Sequence, residues 1–304
     1  MGGVVILGVF VADTAFRAKR QPRMGETVLG ESFSLGPGGK GSNQAVACGR
    51  LGAEVAFLTR LGRDAFADMA RSVWAEAGVT PVVVETETAT GAAAILIDDA
   101  TGENAIIIAP GAAAEISIAD VDAEVERLRA ADVFLTQLEQ PIEVAAYALR
   151  LAHEAGVATI LNPAPAAALS DDVLRHCTFI TPNESEAEAL TGLPVRTEDE
   201  ARRAAERLRA LGAGTVVMTL GAEGALLHGQ GVSERVPAFN AGPVVQTTGA
   251  GDAFNGGFAA ALSRGEDPLC AVRCGCATAG LSVTRAGAAA AMPSAAEVDA
   301  LLAR

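Results

Sequence analysis

The sequence predicts an α/β protein built around a mostly parallel sheet with helices packed against it. Short runs rich in Val, Ile, Leu, Phe and Thr alternate with longer helical stretches along most of the chain. Several of these stretches end at a glycine, the residue that most easily adopts a left-handed C-cap. With 304 residues the chain can bury a core without disulfides or metals, and we treat residues 1–304 as a single domain.

The elements follow in order from these patterns. Strands are predicted from β-branched and aromatic content at residues 4–11, 55–60, 131–137, 158–162, 178–181 and 215–219. Helices are predicted from length and boundary residues at 42–51, 64–77, 116–130, 141–155, 197–211, 252–264, 267–282 and 294–303. Glycines directly follow five of these helices, at Gly52, Gly78, Gly156, Gly212 and Gly265.

Two segments break the alternation, because residues 14–35 and 92–108 contain strand-like runs with no helix between their halves. In the second segment, an apolar run beginning at Gly91 is followed by a turn at 98–102 and another apolar run at 104–108, which indicates a hairpin. We expect the two segments to form a small β-sheet flap beside the main layer.

Composition argues against several functional classes. The chain has 23 basic and 37 acidic residues, and the net charge of −14 disfavours nucleic acid or an anionic membrane as the main partner. The apolar run 4–12 has no basic residues before it and is too short to cross a membrane. Five cysteines without a C-x-x-C pair are typical of reduced thiols, so we expect a cytoplasmic protein.

The first candidate motif is the glycine-rich run 36–43, which leads into a predicted helix. Glycines let the backbone approach a ligand, and N–H groups at a helix start face polar or anionic groups. The run fails the Walker A pattern, because Lys40 is followed by Gly41 rather than Ser or Thr. It also fails the Rossmann fingerprint, because its glycine spacing differs. A ligand loop and a plain turn before a helix both remain open.

The second candidate motif is the run 247–257, where small residues also lead into a helix. Gly249, Ala250 and Gly251 would form a nest of N–H donors able to hold a transferring phosphoryl group. Asp252 at its edge could take a proton from a hydroxyl nucleophile, although an N-cap role is the simpler explanation. Phosphoryl transfer to an alcohol requires at least an anion-binding site and a base beside it.

Two further strand ends carry polar residues. Asn183 and Glu186 follow the strand ending at Thr181 and lie three apart, hence on one face of a first helical turn. Oxygen ligands in this arrangement suit a hydrated Mg²⁺ bound with nucleotide phosphates, and helix capping is the alternative for either residue. The run 219–224 is placed to meet phosphates after another strand, although by itself it is better explained as a tight turn.

Taken together, these motifs resemble the ribokinase-like carbohydrate kinase family. The run 38–46 is similar to the first signature of the family, and the run 247–254 is similar to the second. Smaller motifs of the family occur in the expected order at 25–27, 137–139, 162–165, 182–184 and 219–221. The resemblance covers essentially the whole chain, and the ordered set is far more specific than any one motif.

The resemblance implies a doubly wound α/β domain with a small β-sheet lid over a sugar, formed by about residues 14–35 and 92–108. It implies ATP and Mg²⁺ as cofactors and transfer of the γ-phosphoryl group to the hydroxymethyl group of a ribose-like sugar. It also implies a homodimer formed through the lids, whose exposed strand edges would be covered by pairing.

The resemblance also assigns roles to individual residues as expectations. The catalytic set would be Asp252 as base with the amides of Gly249, Ala250 and Gly251 as anion hole. The sugar would be held by Asp13, Gly39, Lys40, Asn43, Glu139 and Asp252. The nucleotide would contact Asn183, Thr219, Gly221, Gly224 and Cys276, and Glu186 would act on Mg²⁺ through water. A monovalent-cation site, for K⁺, would fall at Gln246, Thr248, Ser282, Arg285 and Gly287.

The chain departs from the family pattern at the sugar and cation sites. Val11 stands where a sugar-contacting asparagine is expected, two residues before Asp13. Because valine cannot pair with a hydroxyl, the acceptor could instead be a nucleoside, a ketose or a phosphosugar. Gln246 replaces an aspartate of the cation site and Ala291 replaces a serine, so we expect weak or absent activation by potassium.

The positive charge of the predicted lid has two interpretations. Arg17, Lys19, Arg20 and Arg23 are concentrated there, where they are either solvated or read an anionic group on the substrate.

The motifs are also compatible with a catalytically weak sugar- or nucleotide-binding protein, since a fold does not fix a function. The altered cation site motivates this hypothesis. The presence of Asp252, Asn183 and Glu186 speaks against it.

Overall fold

A nine-stranded sheet forms the centre of the molecule in the computed structural model, which describes residues 3–304. The strands are β1 (Val4–Leu7), β2 (Val11–Ala18), β3 (Ser32–Gly38), β4 (Val55–Leu61), β5 (Val79–Glu85), β6 (Thr90–Asp98), β7 (Asn104–Gly111), β8 (Val133–Thr136), β9 (Ala158–Leu161), β10 (Phe179–Ile180), β11 (Thr215–Thr219), β12 (Ala225–Gly229) and β13 (Val232–Val236). The order in the large sheet is β13-β12-β11-β10-β9-β8-β1-β4-β5. Adjacent strands from β11 to β5 are parallel, whereas β12 is antiparallel to both of its neighbours, β11 and β13. The predicted mostly parallel sheet is confirmed.

Helices cover both faces of this sheet. They are α1 (Lys40–Arg50), α2 (Ala65–Glu76), α3 (Ile118–Ala123), α4 (Val125–Arg129), α5 (Ile142–Glu154), α6 (Asp171–Leu174), α7 (Glu184–Thr191), α8 (Glu198–Ala210), α9 (Ala250–Ser263), α10 (Pro268–Ser282) and α11 (Ala295–Leu302). One core contains residues of α1, α2 and α9 to α11, and the other contains residues of α3 to α8. The fold is therefore doubly wound.

The two cores explain why the central strands are apolar throughout. In β1, Val4 and Ile6 pack in one core while Val5 and Leu7 pack in the other, as the two-residue period of a strand requires. Each of these side chains is at most 4% exposed. Burial of a side chain of this size contributes about 1.5–3 kcal/mol.

Four strands form a second, smaller sheet in the order β3-β2-β6-β7. Strands β2 and β6 are parallel, and each has an antiparallel partner at the edge of the sheet. These strands occupy the two segments from which we expect a flap, and extend them to Val11 and Gly111. We call this sheet the lid.

The structure differs from the predicted elements at the start of the chain. The predicted strand at residues 4–11 is two strands, because the backbone leaves the large sheet after Leu7 and Val11 begins the lid. Gly8 lies at this crossing, where a Cβ atom would be 2.4 Å from Gln137 Oε1 and 2.8 Å from Gly41 Cα. A glycine at this position thus permits the close approach of three segments directly after β1.

The structure also differs from the predicted elements at several later points, which include the short helices α6 and α7. The predicted helix 116–130 is divided at Glu124 into α3 and α4. The sequence interpretation missed β5, in which Pro81 is tolerated because the strand lies at the edge of the sheet. It also missed the antiparallel hairpin of β12 and β13. Among residues 3–304, no helix combines the length and apolar character needed to cross a bilayer.

Candidate active site

The first turns of two helices meet at the carboxyl edge of the large sheet. Asp252 of α9 is only 6% exposed, and both of its carboxylate oxygens accept hydrogen bonds from α1. Asn43 Nδ2 donates to Oδ2 at 3.0 Å, and Gln44 Nε2 donates to Oδ1 at 3.0 Å. The structure thus joins the two glycine-rich motifs through the predicted base. The N-cap of α9 is Gly249, so Asp252 does not fill the simpler role of N-cap.

The first motif requires glycine at the start of α1. Gly39 is the N-cap with φ of 87°, and a Cβ atom there would lie 2.5 Å from Val9 O. Only glycine combines this left-handed backbone with so close an approach. The following N–H, that of Lys40, donates to Glu139 Oε2 at 2.8 Å, which joins the loop to the segment after β8.

The second motif presents backbone donors at the start of α9. Gly249 has φ of 78°, and an added Cβ on Gly251 would meet open space, so a ligand can approach Gly251 closely. Helix geometry leaves N–H groups of a first turn without intrahelical partners. The Ala250 N–H donates to Thr247 O at 3.1 Å, which leaves Gly249 and Gly251 as the available donors of the expected three.

Three carboxyl groups surround the space between the lid and the helix starts. Burial, together with the charge of Asp252, raises the pKa of Asp13 to about 6. Burial raises the pKa of Glu139 to about 7 against the opposing effect of the Lys40 N–H. Burial also raises the pKa of Asp252, while Lys40 and the two amide donors lower it. Such a cluster of acceptors suits a ligand that carries several hydroxyl groups.

The inner face of the lid is shaped by glycines around Asp13. In the lid register Val11 stands opposite Gly38 and Gly91, two positions from Asp13 and therefore on the same face. A Cβ atom on Gly38 would lie 2.4 Å from Asp13 Oδ2, so the glycine leaves room for the carboxylate. Val11 is buried, and because both residues paired with it are glycines, its apolar side chain is the only one at this level of the three strands.

A cavity of about 570 Å³ begins beside the start of α9. All five residues expected at the nucleotide line it, namely Asn183, Thr219, Gly221, Gly224 and Cys276. Ala250 and Gly251 line the same cavity, so it reaches the backbone donors beside Asp252. The sequence interpretation missed another wall, formed by residues 238–242 and by Val244. This wall follows β13 as an irregular loop, which local patterns do not mark as a binding surface.

Comparison with known proteins identifies the family. The pfkB family carbohydrate kinase model matches residues 1–295. The chain belongs to the PfkB carbohydrate kinase family. It is 38% identical over 293 residues to a ribokinase of Haemophilus influenzae, covering 96% of this chain and 95% of the relative. It is 35% identical over 294 residues to a deoxyribokinase of Salmonella typhi, with the same coverage.

The fold of this PfkB family kinase agrees with a solved structure of a relative. Arabidopsis thaliana ribokinase in complex with ribose and ATP superposes with a TM-score of 0.91 at 30% identity, covering 99% of both chains. The expected ribokinase-like fold and family membership are thereby confirmed. The chain is a ribokinase-like carbohydrate kinase.

In this PfkB family kinase, Asn183 and Glu186 form a reciprocal helix cap. Asn183 Oδ1 accepts from the Glu186 N–H at 2.8 Å, and Glu186 Oε2 accepts from the Asn183 N–H at 2.9 Å. Burial raises the pKa of Glu186, and a nearby cation would favour its ionised form. Each carboxylate oxygen keeps a lone pair, so the residue fits an outer contact to Mg²⁺ through water. The capping role and the metal role are compatible.

The residues expected at a monovalent cation are already joined to one another. Gln246 Nε2 donates to Thr248 Oγ1 at 3.0 Å, and Gln246 Oε1 accepts from the Gly287 N–H at 2.9 Å. Arg285 forms an ion pair with Glu297, and Ser282 Oγ donates to the main chain of its own helix. An amide N–H faces an expected oxygen ligand here, so the donor set does not fit a cation.

The cations of the lid are mostly paired within the lid. Arg17 lies 3.5 Å from Asp99, Lys19 lies 3.9 Å from Glu31, and Arg20 forms a two-point ion pair with Glu26. These pairs are exposed and each contributes little to stability. Three of the four lid cations thus already have an acidic partner within the lid.

The sequence interpretation missed a set of buried amides behind Asp252. Gln44, Gln137 and Asn162 are each at most 7% exposed, and Gln44 is hydrogen-bonded to both of the others. Gln137 and Asn162 lie in small motifs that carry the family resemblance, at 137–139 and 162–165. Their position at the ends of predicted strands was the available signal, because ligands of α/β proteins bind at the carboxyl ends of strands.

Proposed function

We propose that this kinase transfers the γ-phosphoryl group of ATP to the hydroxymethyl oxygen of a pentose held beneath the lid. The observation that carries the proposal is the position of Asp252. It directly follows Ala250 and Gly251, which line the 570 Å³ cavity, and its charge acts on Asp13 and Glu139 of the acidic space under the lid. The ribose and ATP of the Arabidopsis thaliana relative support the same pair of substrates.

The reaction follows from the groups at this junction. The acceptor O–H donates to Asp252, which takes the proton as the oxygen attacks the γ-phosphorus. The bond from the γ-phosphorus to the bridging oxygen breaks and ADP leaves with the electron pair. The N–H groups of Gly249 and Gly251 would stabilise negative charge on the transferring group. Mg²⁺, held through water by Glu186, would neutralise charge on the phosphates when bound.

The acceptor would be held by the acidic residues and by one unpaired oxygen. Asp13 and Glu139 offer carboxylate oxygens to sugar hydroxyls. Asn43 Oδ1 is buried and has no hydrogen-bond partner among the described residues, so it is free to accept from a ligand hydroxyl. Lys40 places its charge near Asp252 and Glu139, which favours the ionised form of both.

A second candidate acceptor is a 2-deoxypentose. Val11 presents an apolar side chain on the lid face that carries Asp13, and a hydroxyl against it would lose its hydrogen bonds. The similarity to the Salmonella typhi deoxyribokinase supports this candidate. Among the other acceptors, a phosphosugar is favoured less, because most of the lid cations that would bind its phosphate are paired with lid carboxylates.

The test is ADP release from Mg·ATP with ribose, 2-deoxyribose, fructose, adenosine and ribose 5-phosphate. We expect turnover with a pentose, and Val11→Asn should shift the ribose to 2-deoxyribose ratio of kcat/KM toward ribose by about 10-fold. Ala15→Ser, two positions beyond Asp13 on the same face, is the matched control. A hit confined to a non-pentose acceptor would overturn the acceptor class. Silence with every acceptor would favour a binding protein.

A further inference from the structure

A set of buried amides stands behind Asp252, and Gln44 is at its centre. Its Nε2 donates to Asp252 Oδ1 at 3.0 Å and to Asn162 Oδ1 at 3.1 Å, and its Oε1 accepts from Gln137 Nε2 at 2.6 Å. The side chain is fully buried. An ionised carboxylate can only accept, so the nitrogen of Gln44 must face Asp252. Every N–H of this amide therefore has a partner, and its orientation is fixed.

The two amides that hold Asp252 differ in what they leave free. Asn43 keeps an unpartnered Oδ1 among the residues that the structure describes, and this atom can accept from a bound hydroxyl. Gln44 has used both donors and its acceptor inside the protein. Asn43 therefore has an acceptor left for a further hydrogen bond, whereas both N–H groups of Gln44 and its oxygen already have partners. Of the three groups that Gln44 holds, Asp252 is the one with an expected role in the reaction, so an effect of Gln44 on turnover would act through Asp252.

Gln44 is itself anchored to the ends of successive strands. Gln137 follows β8 and Asn162 follows β9, and Asn162 Nδ2 donates onward to Thr181 O after β10 at 3.1 Å. These strands are neighbours in the parallel sheet. The amide that meets Asp252 is thus positioned by the centre of the large sheet and not by the lid.

We propose that Gln44 is a positioning residue for phosphoryl transfer, which fixes the rotation of the Asp252 carboxylate toward the acceptor hydroxyl. This inference rests on the proposed role of Asp252. With both oxygens held, each keeps one free lone pair, so the directions from which the carboxylate can accept a proton are fixed. A charged acceptor makes the bond from Gln44 stronger than one between neutral groups, and it favours the ionised base.

The test compares Gln44→Met with Gln140→Met. Gln140 is a similarly buried amide whose Nε2 donates to Thr136 Oγ1 and Gln137 O, without a hydrogen bond to Asp252. Both variants should lose stability to a similar degree. We expect kcat of Gln44→Met to fall about 100-fold with the KM for the pentose nearly unchanged, and Gln140→Met to keep kcat.

The pH profile separates positioning from general destabilisation. Charged groups that face Asp252 are Lys40 on α1, Asp13 on the lid, Glu139 after β8 and Glu186 on α7. These groups are the same in both variants. Loss of a donor makes the ionised base less favourable, so the acid limb of kcat/KM should move to higher pH in Gln44→Met and stay in place in Gln140→Met.

Gln44→Glu gives a second, independent readout if the methionine variant does not fold. A protonated Glu at this position can donate to Asp252 as the amide does, whereas an ionised one repels it. We expect the kcat of Gln44→Glu to fall as the pH rises from about 6 to about 9. The kcat of the wild type should rise or stay constant over the same range. Equal kcat and pH profiles in the Gln44 and Gln140 variants would overturn the inference. An inactive wild type would instead contradict the proposed function.

Discussion

Asp252 is held in place before any substrate arrives, because Asn43 and Gln44 donate to its two oxygens. Burial raises the pKa of this carboxyl, and the nearby charge of Lys40 together with the two amides opposes that effect. A general base has to be ionised and correctly directed at the same time. The two amides serve both needs, since they favour the ionised form and also set the direction of the carboxylate.

Replacement of Asp252 by asparagine should separate chemistry from binding. The Asp252→Asn side chain keeps nearly the same shape but cannot take a proton, so we expect turnover to fall about 10³-fold or more. Pentose and ATP binding, measured by calorimetry, should change little. Asp267→Asn, at the N-cap of α10, is the control for loss of an aspartate elsewhere. Wild-type turnover in Asp252→Asn would show that another group is the base.

Glu139 should make the ligand-free protein less stable as the pH rises. Its pKa is raised by burial from 4.5 to about 7, so between these values the folded chain binds more protons than the unfolded chain. The free energy of unfolding therefore falls as the pH rises from about 4.5 to about 7. Glu139→Gln removes this pH-dependent loss of stability and keeps an oxygen that can accept a hydrogen bond from the Lys40 N–H.

We expect Glu139→Gln to be more stable than the wild type by about 1–3 kcal/mol at about pH 8 and to differ little near pH 4.5. Denaturant unfolding at the two pH values measures this difference. Glu143→Gln, on the exposed first turn of α5, serves as the control. A wild type that is the more stable protein at pH 8 would contradict the assigned environment of Glu139.

At the scale of elements, the side chain of Gln246 joins the loop before α9 to the loop after α10, beside backbone hydrogen bonds from Val245 and Gln246 to Val283. Gln246 contacts Thr248 in the first loop and Gly287 in the second. The first loop leads directly to the backbone donors at the start of α9. A neutral amide thus connects two loops that the family pattern would connect through a cation.

This connection leads us to expect turnover that is independent of potassium. The rate in KCl should equal the rate in choline chloride within about 2-fold, because the neutral bridge does not need a counter-ion. Gln246→Asp removes the N–H donor and adds a charge, so it should lower the rate in choline and restore it in potassium. Gln246→Ala should lower the rate in both salts. Strong potassium stimulation of the wild type would contradict this interpretation.

At the scale of the whole molecule, the outer face of the lid is an exposed apolar surface. Side chains alternate along a strand, so the face that carries Phe16, Phe33, Leu35 and Ile107 is opposite the face that carries Asp13. Phe16 and Phe33 are in contact at 4.9 Å between ring centres and remain about half exposed. A group of exposed apolar side chains on one face of a sheet is typical of a protein–protein interaction surface.

We propose that a second copy of the chain covers this face, which gives a homodimer through the lids. Phe33→Glu should reduce the mass in solution from two chains to one, since a buried unpaired charge is costly. Ser32→Glu, one position away on the other face of β3, should leave the dimer intact. Light scattering at several concentrations measures both. A wild type with the mass of one chain would refute the proposal.

Local patterns in the chain were sufficient for the fold class, the family and the main residues of the candidate site. Strand composition and the glycines that follow the helices are local properties, and they predicted the parallel sheet and most of its helices. The run 247–254 named Asp252 through chemistry that is readable within a few residues, whereas Asn43 was named through the resemblance of the run 38–46 to the family. The edge strand β5 was not predicted, because Pro81 is unfavourable in a central strand. That β5 lies at the edge of the sheet, where proline is tolerated, cannot be read from the local sequence.

The contacts between polar groups, in contrast, depend on the packed fold. Asn43 and Asp252 are 209 positions apart, and no local pattern states that both oxygens of one carboxylate are held by consecutive residues of another helix. The same holds for Gln246, whose amide reaches 41 positions along the chain to Gly287. Hydrogen bonds depend on distance and direction between groups that the fold brings together, and these quantities exist only once the chain is packed.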